Sequence, residues 1–260
     1  MMKRASITLG FLVCSAFAFA TEDPFLAAVE SLRHSVAPIV CLESSGQGTK
    51  VLTVEGTAFF ISQTGEFVTA AHVVGSMGHN ERVCPITALL LPSDLWKPES
   101  PAEVLLWFPF KTSDCAIDGM MDVAKCKPTE NLAASQQAPR IRIRPAKIEY
   151  SSQPDGTLVA FTGFPLNARD PLTSRTGIAG YRTGQDGATV VSTLILDHVA
   201  WHGGSGSPVY LSDGRVIGII LASGIEQAAG ISVARPAESF RGMLSEGSKQ
   251  TEANAVHRKD

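Results

Sequence analysis

Short runs of alternating apolar and polar residues fill most of this chain, and turn signals interrupt them at frequent intervals. TAFFIS (57–62), GEFVTAAH (65–72), ITALLL (86–91) and EVLLWF (103–108) are rich in β-branched or aromatic residues, and Gln63-Thr64-Gly65 separates the first two. KIEYSS (147–152), TLVAFTGF (157–164), TGIAGYR (176–182), ATVVSTLIL (188–196), SPVYLS (207–212), RVIGIILAS (215–223) and GISVA (230–234) continue the pattern. Each reads as a short strand. Helical spacing is clear only near the start, in DPFLAAVESLRHSVAPIV (23–40). There Asp23 is the expected cap, Pro24 takes the first helical position, Phe25, Val29 and Leu32 share a face, and Pro38 stops the run. Many short strands with little helix outside the ends predict an all-β barrel or sandwich. KPTENLAASQQAP (127–139) reads as a polar crossing between two halves, and 241–260 as a polar tail.

Composition fits that picture. With 44% hydrophobic and 18% charged residues in 260, the chain is that of a packed globular protein and not a disordered one. Its first twenty residues stand apart: MMKR is a positive start, ASITLGFLVCSAFAF an apolar run, and Ala18-Phe19-Ala20 a small-x-small cleavage site. Residues 1–20 are therefore expected to be a secretory signal, cut before Thr21, with the mature protein periplasmic or secreted and free of a membrane anchor. Loss of Lys3 and Arg4 lowers the basic count from 22 to 20 against 25 acidic residues, taking the net charge from −3 to −5. The densest basic stretch, PRIRIRPAK (139–147), alternates like the solvent face of a strand, so nucleic-acid binding is not expected.

Cysteine usage agrees with export. Cys14 leaves with the signal, and Cys41, Cys84, Cys115 and Cys126 remain, an even number suited to disulfides in an oxidising compartment. Of three possible connectivities, 41–84 with 115–126 pairs neighbours in sequence. No Cys-x-x-Cys pair or Cys/His cluster occurs, so neither a structural metal nor any cofactor is expected.

The segment WHGGSGSPVY (201–210) surrounds Ser205 with three glycines, at a cost in backbone entropy that an ordinary turn does not require. Such a loop suits a nucleophile if a base reaches it. Of six histidines, His34, His79, His202 and His257 are poorly placed by context, His198 remains open, and His72 ends GEFVTAAH beside two small alanines. For the group that would orient the imidazole, Asp122 heads an apolar stretch, where a carboxylate is costly unless partnered. Asp114 and Asp118 are rivals in more turn-like surroundings. The order His72, Asp122, Ser205 is that of the chymotrypsin arrangement, whereas the G-x-S-x-G nucleophile elbow fails because position 207 is serine.

GTAFFISQTGEFVTAAHVV (56–74), DVAKCKP (122–128) and GGSGSPVYLSDGRVIGI (203–219) resemble the three catalytic segments of the chymotrypsin-fold serine proteases. The likeness is to the bacterial HtrA-like branch, with some similarity to glutamyl endopeptidases around GGSGSPV. VAFTGFPLN followed by TGIAGYR, Asp197 eight residues before the serine, and GISVARP near the end support it, and the resemblance runs from roughly Phe25 to Phe240, nearly the whole of the expected mature chain. The resemblance implies two antiparallel six-stranded β-barrels after a short N-terminal helix, one over about 37–127 and one over about 140–240 within a protease domain of 21–240. It also implies His72 and Asp122 from the first barrel, Ser205 from the second, and an oxyanion hole from the N–H groups of Gly203 and Ser205.

Trp201 and His202 stand where HtrA-like enzymes tend to have asparagine and proline, and both are expected beside the substrate. No PDZ domain or Ile-Val-Gly-Gly activation sequence is expected. On the same alignment Val199 and Ala200 form a pocket base without a carboxylate, and Ile220 replaces the histidine of glutamyl endopeptidases. With Leu221, Ala222, Gly230 and Ser232 they imply a small or medium apolar side chain in the pocket. The expected activity is that of an exported serine endopeptidase acting on a protein or peptide. The alternatives are an inactive protease-fold binding protein and an esterase on the same scaffold. Oligomeric state is not legible.

Overall fold

The computed structural model describes residues 23–46, 48–79, 84–91, 106–135, 143–168, 170–186, 189–223 and 230–245. The expected signal and most of the expected tail lie outside the described residues, and the extents expected for the protease domain and its two barrels stay proposals. Strands dominate. Helix α1 (Phe25–Arg33) buries Phe25, Ala28 and Leu32; Pro24 takes the cap position just before it, one residue later than expected, and the Asp23 carboxylate accepts the Phe25 N–H at 2.9 Å. The helix ends by Arg33, and Pro38 lies inside strand β1 (Val36–Ser45) opposite Thr57. Proline did not stop the helix; the extended geometry it favours was used in a strand.

β1 was not expected from the pattern. Seven successive buried residues from Val36 to Leu42 hide its alternation, as in a strand covered on both sides. It pairs with β2 (Gly48–Phe60) and β4 (Ile86–Leu91) in a seven-stranded sheet ordered β5-β4-β1-β2-β3-β7-β6. The other members are β3 (Phe67–Ala70), β5 (Leu106–Pro109), β6 (Ala116–Asp118) and β7 (Val123–Cys126). Disulfides Cys41–Cys84 and Cys115–Cys126 staple it, with Cα–Cα separations of 5.5 and 4.3 Å, the pairing of sequence neighbours expected above.

The second half is a closed six-stranded barrel ordered β10-β13-β12-β11-β8-β9. Its strands are β8 (Leu158–Gly163), β9 (Leu172–Asp186), β10 (Thr189–Leu196), β11 (Pro208–Tyr210), β12 (Val216–Ser223) and β13 (Ser232–Pro236). All pairings among the named strands are antiparallel. Two sheets of a chymotrypsin-like fold are therefore present, the first with seven strands where six were expected. KIEYSS is not a strand and makes one isolated bridge, Ile148 to Val216.

Alternation along β8, and along β12 with a register shift at Ile217, divides their side chains between two cores. Val159, Phe161, Ile217 and Ile220 fill the barrel, while Ala160, Val216, Ile219 and Leu221 join a second cluster with Phe59, Phe60 and Phe67 of the first sheet. Apolar packing thus runs continuously between the halves. That packing fixes the relative position of two polar edges, one on each side.

Candidate active site

His72 is the second residue of helix α2 (Ala71–His79), which follows β3 without a break. The expectation that it ends a strand is corrected: GEFVTAAH is half strand, and the two alanines favour a turn into helix. A helix start carries unpaired N–H groups, and Asp122 supplies their acceptor. The Asp122 Oδ1 accepts the His72 N–H at 2.8 Å, and its Oδ2 meets His72 Nδ1 at 2.8 Å. The Asp122 carbonyl accepts the Ala71 N–H at 3.1 Å. Because an ionised carboxylate only accepts, this contact suits the tautomer with a proton on Nδ1, which in a neutral ring leaves the lone pair on Nε2. The two side chains are 47% and 28% exposed.

Asp122 occupies the turn between β6 and β7 with a left-handed φ of 54°, a conformation costly for most residues bearing a Cβ and visited more readily by Asp and Asn. The rivals do other work. Asp118 accepts the N–H groups of Met120 and Met121 at 3.1 and 3.0 Å, while Asp114 accepts the Ser113 hydroxyl. Asp118 thereby shapes the turn that Asp122 ends. His198 lies beyond β10 instead of within a strand, with Nδ1 2.6 Å from the Val199 carbonyl and its ring edge-on to Phe161.

The serine loop is fixed by bonds at nearly every peptide. Gly204 N–H donates to Trp201 C=O, Ser207 N–H to Gly204 C=O, and Gly206 N–H to Ile220 C=O, at 2.7–3.0 Å. Across the interface, Thr57 N–H donates to the Ser205 carbonyl at 2.8 Å, and its hydroxyl to the Gly203 carbonyl at 3.0 Å. Among the described residues the N–H groups of Gly203 and Ser205 have no acceptor, although those between and beyond them do. Gly203 has φ +87° and Gly206 φ +87°; a Cβ on Gly206 would fall 2.0 Å from the Thr57 carbonyl oxygen. This glycine is required by close approach of the first sheet.

Ser205 Oγ donates to the Leu221 carbonyl at 2.8 Å, and among the described residues no hydrogen bond joins it to His72. The reason lies in β12. The pairing with β13 skips Leu221 at a bulge between Ile220 and Ala222, leaving its carbonyl outside the ladder, and one O–H serves one acceptor.

The expected pocket residues separate. Trp201 is 57% exposed and His202 is exposed, at the loop's outer edge. Val199 is half-buried, Ala200 and Ile220 are buried in the barrel cluster, and Leu221 is buried against the first sheet. Ser232 is fully buried, and among the described residues its hydroxyl has no partner; Gly230 is exposed, and the Ala222 side chain lies outside the described residues. Thr57 and Arg235 went unremarked in the sequence. A lone threonine beside a glycine and a lone arginine in a strand carry no signal of a partner in the other half.

The domain model for the trypsin-like peptidase matches residues 56–219, and the chain belongs to that family of serine proteases. Among solved structures it is similar to the Rv3671c protease from M. tuberculosis in its active form, with 18% identity, TM-score 0.59, and 92% and 93% of the two chains covered. It is likewise similar to the inactive serine-to-alanine form of Rv3671c from M. tuberculosis H37Rv, with 17% identity, TM-score 0.58, and 86% and 91% covered. No curated protein matches.

Proposed function

We propose that the protein is an exported serine endopeptidase in which Ser205 is the nucleophile, His72 the general base and acid, and Asp122 the group that orients and stabilises the imidazolium. The observation that carries this reading is the two-point grip of Asp122 on His72 at 2.8 Å and 2.8 Å, which turns Nε2 away from the carboxylate with its lone pair free. Ser205 Oγ leaves the Leu221 carbonyl by rotation about χ1 and gives its proton to Nε2 as oxygen bonds the scissile carbonyl carbon. The oxyanion takes the N–H groups of Gly203 and Ser205, donors fixed beforehand by the loop; one such donor supports roughly 3 kcal/mol of transition-state stabilisation. The imidazolium returns the proton to the leaving amine, the C–N bond breaks, and an acyl-enzyme remains. Water gives one proton to His72 and its oxygen to the acyl carbon, and the proton passes back to Ser205 as the acid leaves.

Two disulfides support an oxidising compartment and with it the secretory reading of residues 1–20. Among the described residues no helix is long and apolar enough to cross a membrane. The substrate is a protein or peptide with a small or medium apolar residue before the cut: of the residues expected at the pocket, half-buried Val199 and the core residues Ala200 and Ile220 are all uncharged. The Ser205–Leu221 bond favours a second reading, an idle protease fold that only binds. A fluorophosphonate probe separates them: labelling of Ser205 in the wild type, absent in Ser205→Ala, is expected, and an unlabelled wild type supports the binding protein. Comparing peptide with ester turnover then distinguishes endopeptidase from esterase.

A further inference from the structure

Arg235, on β13 of the barrel, is only 6% exposed, yet among the described residues it has no carboxylate within salt-bridge distance. A buried cation without an ion pair is expensive and persists where carbonyl dipoles and nearby charge make up for lost water. Its Nη1 donates to the Ser192 carbonyl and, at 3.4 Å, to Thr193 Oγ1, both on neighbouring β10. Its Nε crosses to the first sheet and donates to the Met121 carbonyl at 2.7 Å. Burial lowers the guanidinium's proton affinity, and the fields of Asp122 and Asp118 oppose that loss.

Met121 is the residue before Asp122. Its carbonyl belongs to the peptide plane on the N-terminal side of the Asp122 Cα, and the Asp122 carbonyl, held by the Ala71 N–H, belongs to the plane on the C-terminal side. Both planes around the left-handed Asp122 are therefore fixed, one from the barrel and one from helix α2. Asp visits the left-handed region more readily than most residues, and holding both flanking peptides keeps it in one orientation there. We propose that Arg235 is a positioning residue for the acid arm of the site: it reaches from the second half to hold the Met121 peptide, and so aims the Asp122 carboxylate at His72. The assignment rests on the protease reading for its effect on turnover, but the aim of Asp122 is a separate, observable quantity.

The test uses Arg235→Met, which keeps apolar volume and removes the donors, and Arg235→Lys, which restores a charged donor. Three quantities are measured: kcat and KM on a peptide substrate, the downfield proton resonance of the His72 Nδ1–H facing Asp122, and the thermal midpoint. Arg235→Met is expected to lower kcat on the order of tenfold or more with KM unchanged, the signature of misaligned groups. The His72 resonance is expected to move upfield or broaden, while Arg235→Lys recovers part of both. A folded Arg235→Met with wild-type kcat and an unmoved resonance, whatever its melting temperature, overturns the assignment. If that variant does not fold, Arg235→Gln is read the same way, since its shorter neutral amide falls short of the Met121 oxygen. Fluorophosphonate labelling of the wild type reports on the protease reading by itself. The resonance needs no turnover, so failure of one claim is distinguishable from failure of the other.

Discussion

The Thr57 hydroxyl donates to the carbonyl of Gly203 at 3.0 Å, tying the first sheet to the serine loop of the barrel. The same oxygen accepts the Phe164 N–H at 3.0 Å, and the Thr57 N–H holds the Ser205 carbonyl at 2.8 Å. One buried side chain therefore satisfies a donor and an acceptor on two segments of the second half. Thr69, just before the helix bearing His72, donates its own hydroxyl to the Thr57 carbonyl at 2.8 Å. The nucleophile loop and the base are thus linked through two threonines.

Thr57→Val keeps the shape and removes the hydroxyl. It leaves the Gly203 carbonyl and the Phe164 N–H without their partner in a buried place, where each orphaned group costs about 1–3 kcal/mol. Urea unfolding is expected to show a loss of at least ~2 kcal/mol, with slower probe labelling of Ser205. Thr57→Ser should recover most of both. A valine variant as stable and as reactive as wild type contradicts the linkage.

Gly206→Ala places a methyl group 2.0 Å from the Thr57 carbonyl and 2.4 Å from Thr69 Oγ1, at a left-handed φ of +87°. Backbone cannot yield as a flexible side chain does. The expected destabilisation exceeds ~3 kcal/mol, from overpacking and strain together. A soluble variant with a wild-type unfolding curve would show that the two halves are not this close.

Asp122→Asn separates geometry from charge. Asparagine tolerates left-handed φ and its oxygen can still accept the His72 N–H, so stability should change by less than ~1 kcal/mol. Its amide N–H₂, however, faces Nδ1 and forces the proton to Nε2, the wrong tautomer for a base. Labelling of Ser205 is expected to slow by roughly 10⁴-fold, the scale known for this substitution in a Ser-His-Asp site. A loss under about tenfold would show that Asp122 does not serve His72 in this way.

Acid should weaken the fold in part through Glu149. The backbone N–H and then the hydroxyl of Ser151 hold its carboxyl below the ordinary value of 4.5, outweighing desolvation. A folded-state value depressed in this way gives stability that is present above the unfolded value and fades as pH falls through the folded one. The melting-temperature gap between wild type and Glu149→Gln is therefore expected to be constant near neutral pH and to close below ~4.5. A gap that widens on acidification reverses the sign and refutes the account.

Much of the strand framework was legible because its signals are local. ITALLL became β4 over the same six residues, Ile86–Leu91, and the helix begins one residue after Pro24's expected place, with the Asp23 carboxylate still holding the Phe25 N–H. The glycine loop around Ser205 was conspicuous because three glycines beside one serine exceed what an ordinary turn requires. Legibility failed where tertiary context decided the outcome. β1 buries seven residues in a row and so loses the period of two, and Pro38 was usable inside it because neighbouring sequence allowed an extended backbone. His72 moved from strand end to helix start because the Asp122 carboxylate is available there to cap it. Thr57 and Arg235 act on partners more than 100 residues away, 146 for Thr57 to Gly203 and 114 for Arg235 to Met121, and no local pattern encodes such a pairing.

The central claim is that Ser205 cuts peptide bonds, and digestion of a denatured protein measures this directly. Wild type and Ser205→Ala, purified in the same way, are incubated with a reduced, unfolded substrate, and the new peptide termini are sequenced by mass spectrometry. The account predicts new termini following small or medium apolar residues in the wild-type digest and none above background with Ser205→Ala. Equal cleavage by both proteins, or no cleavage by a folded, disulfide-bonded wild type, would contradict it.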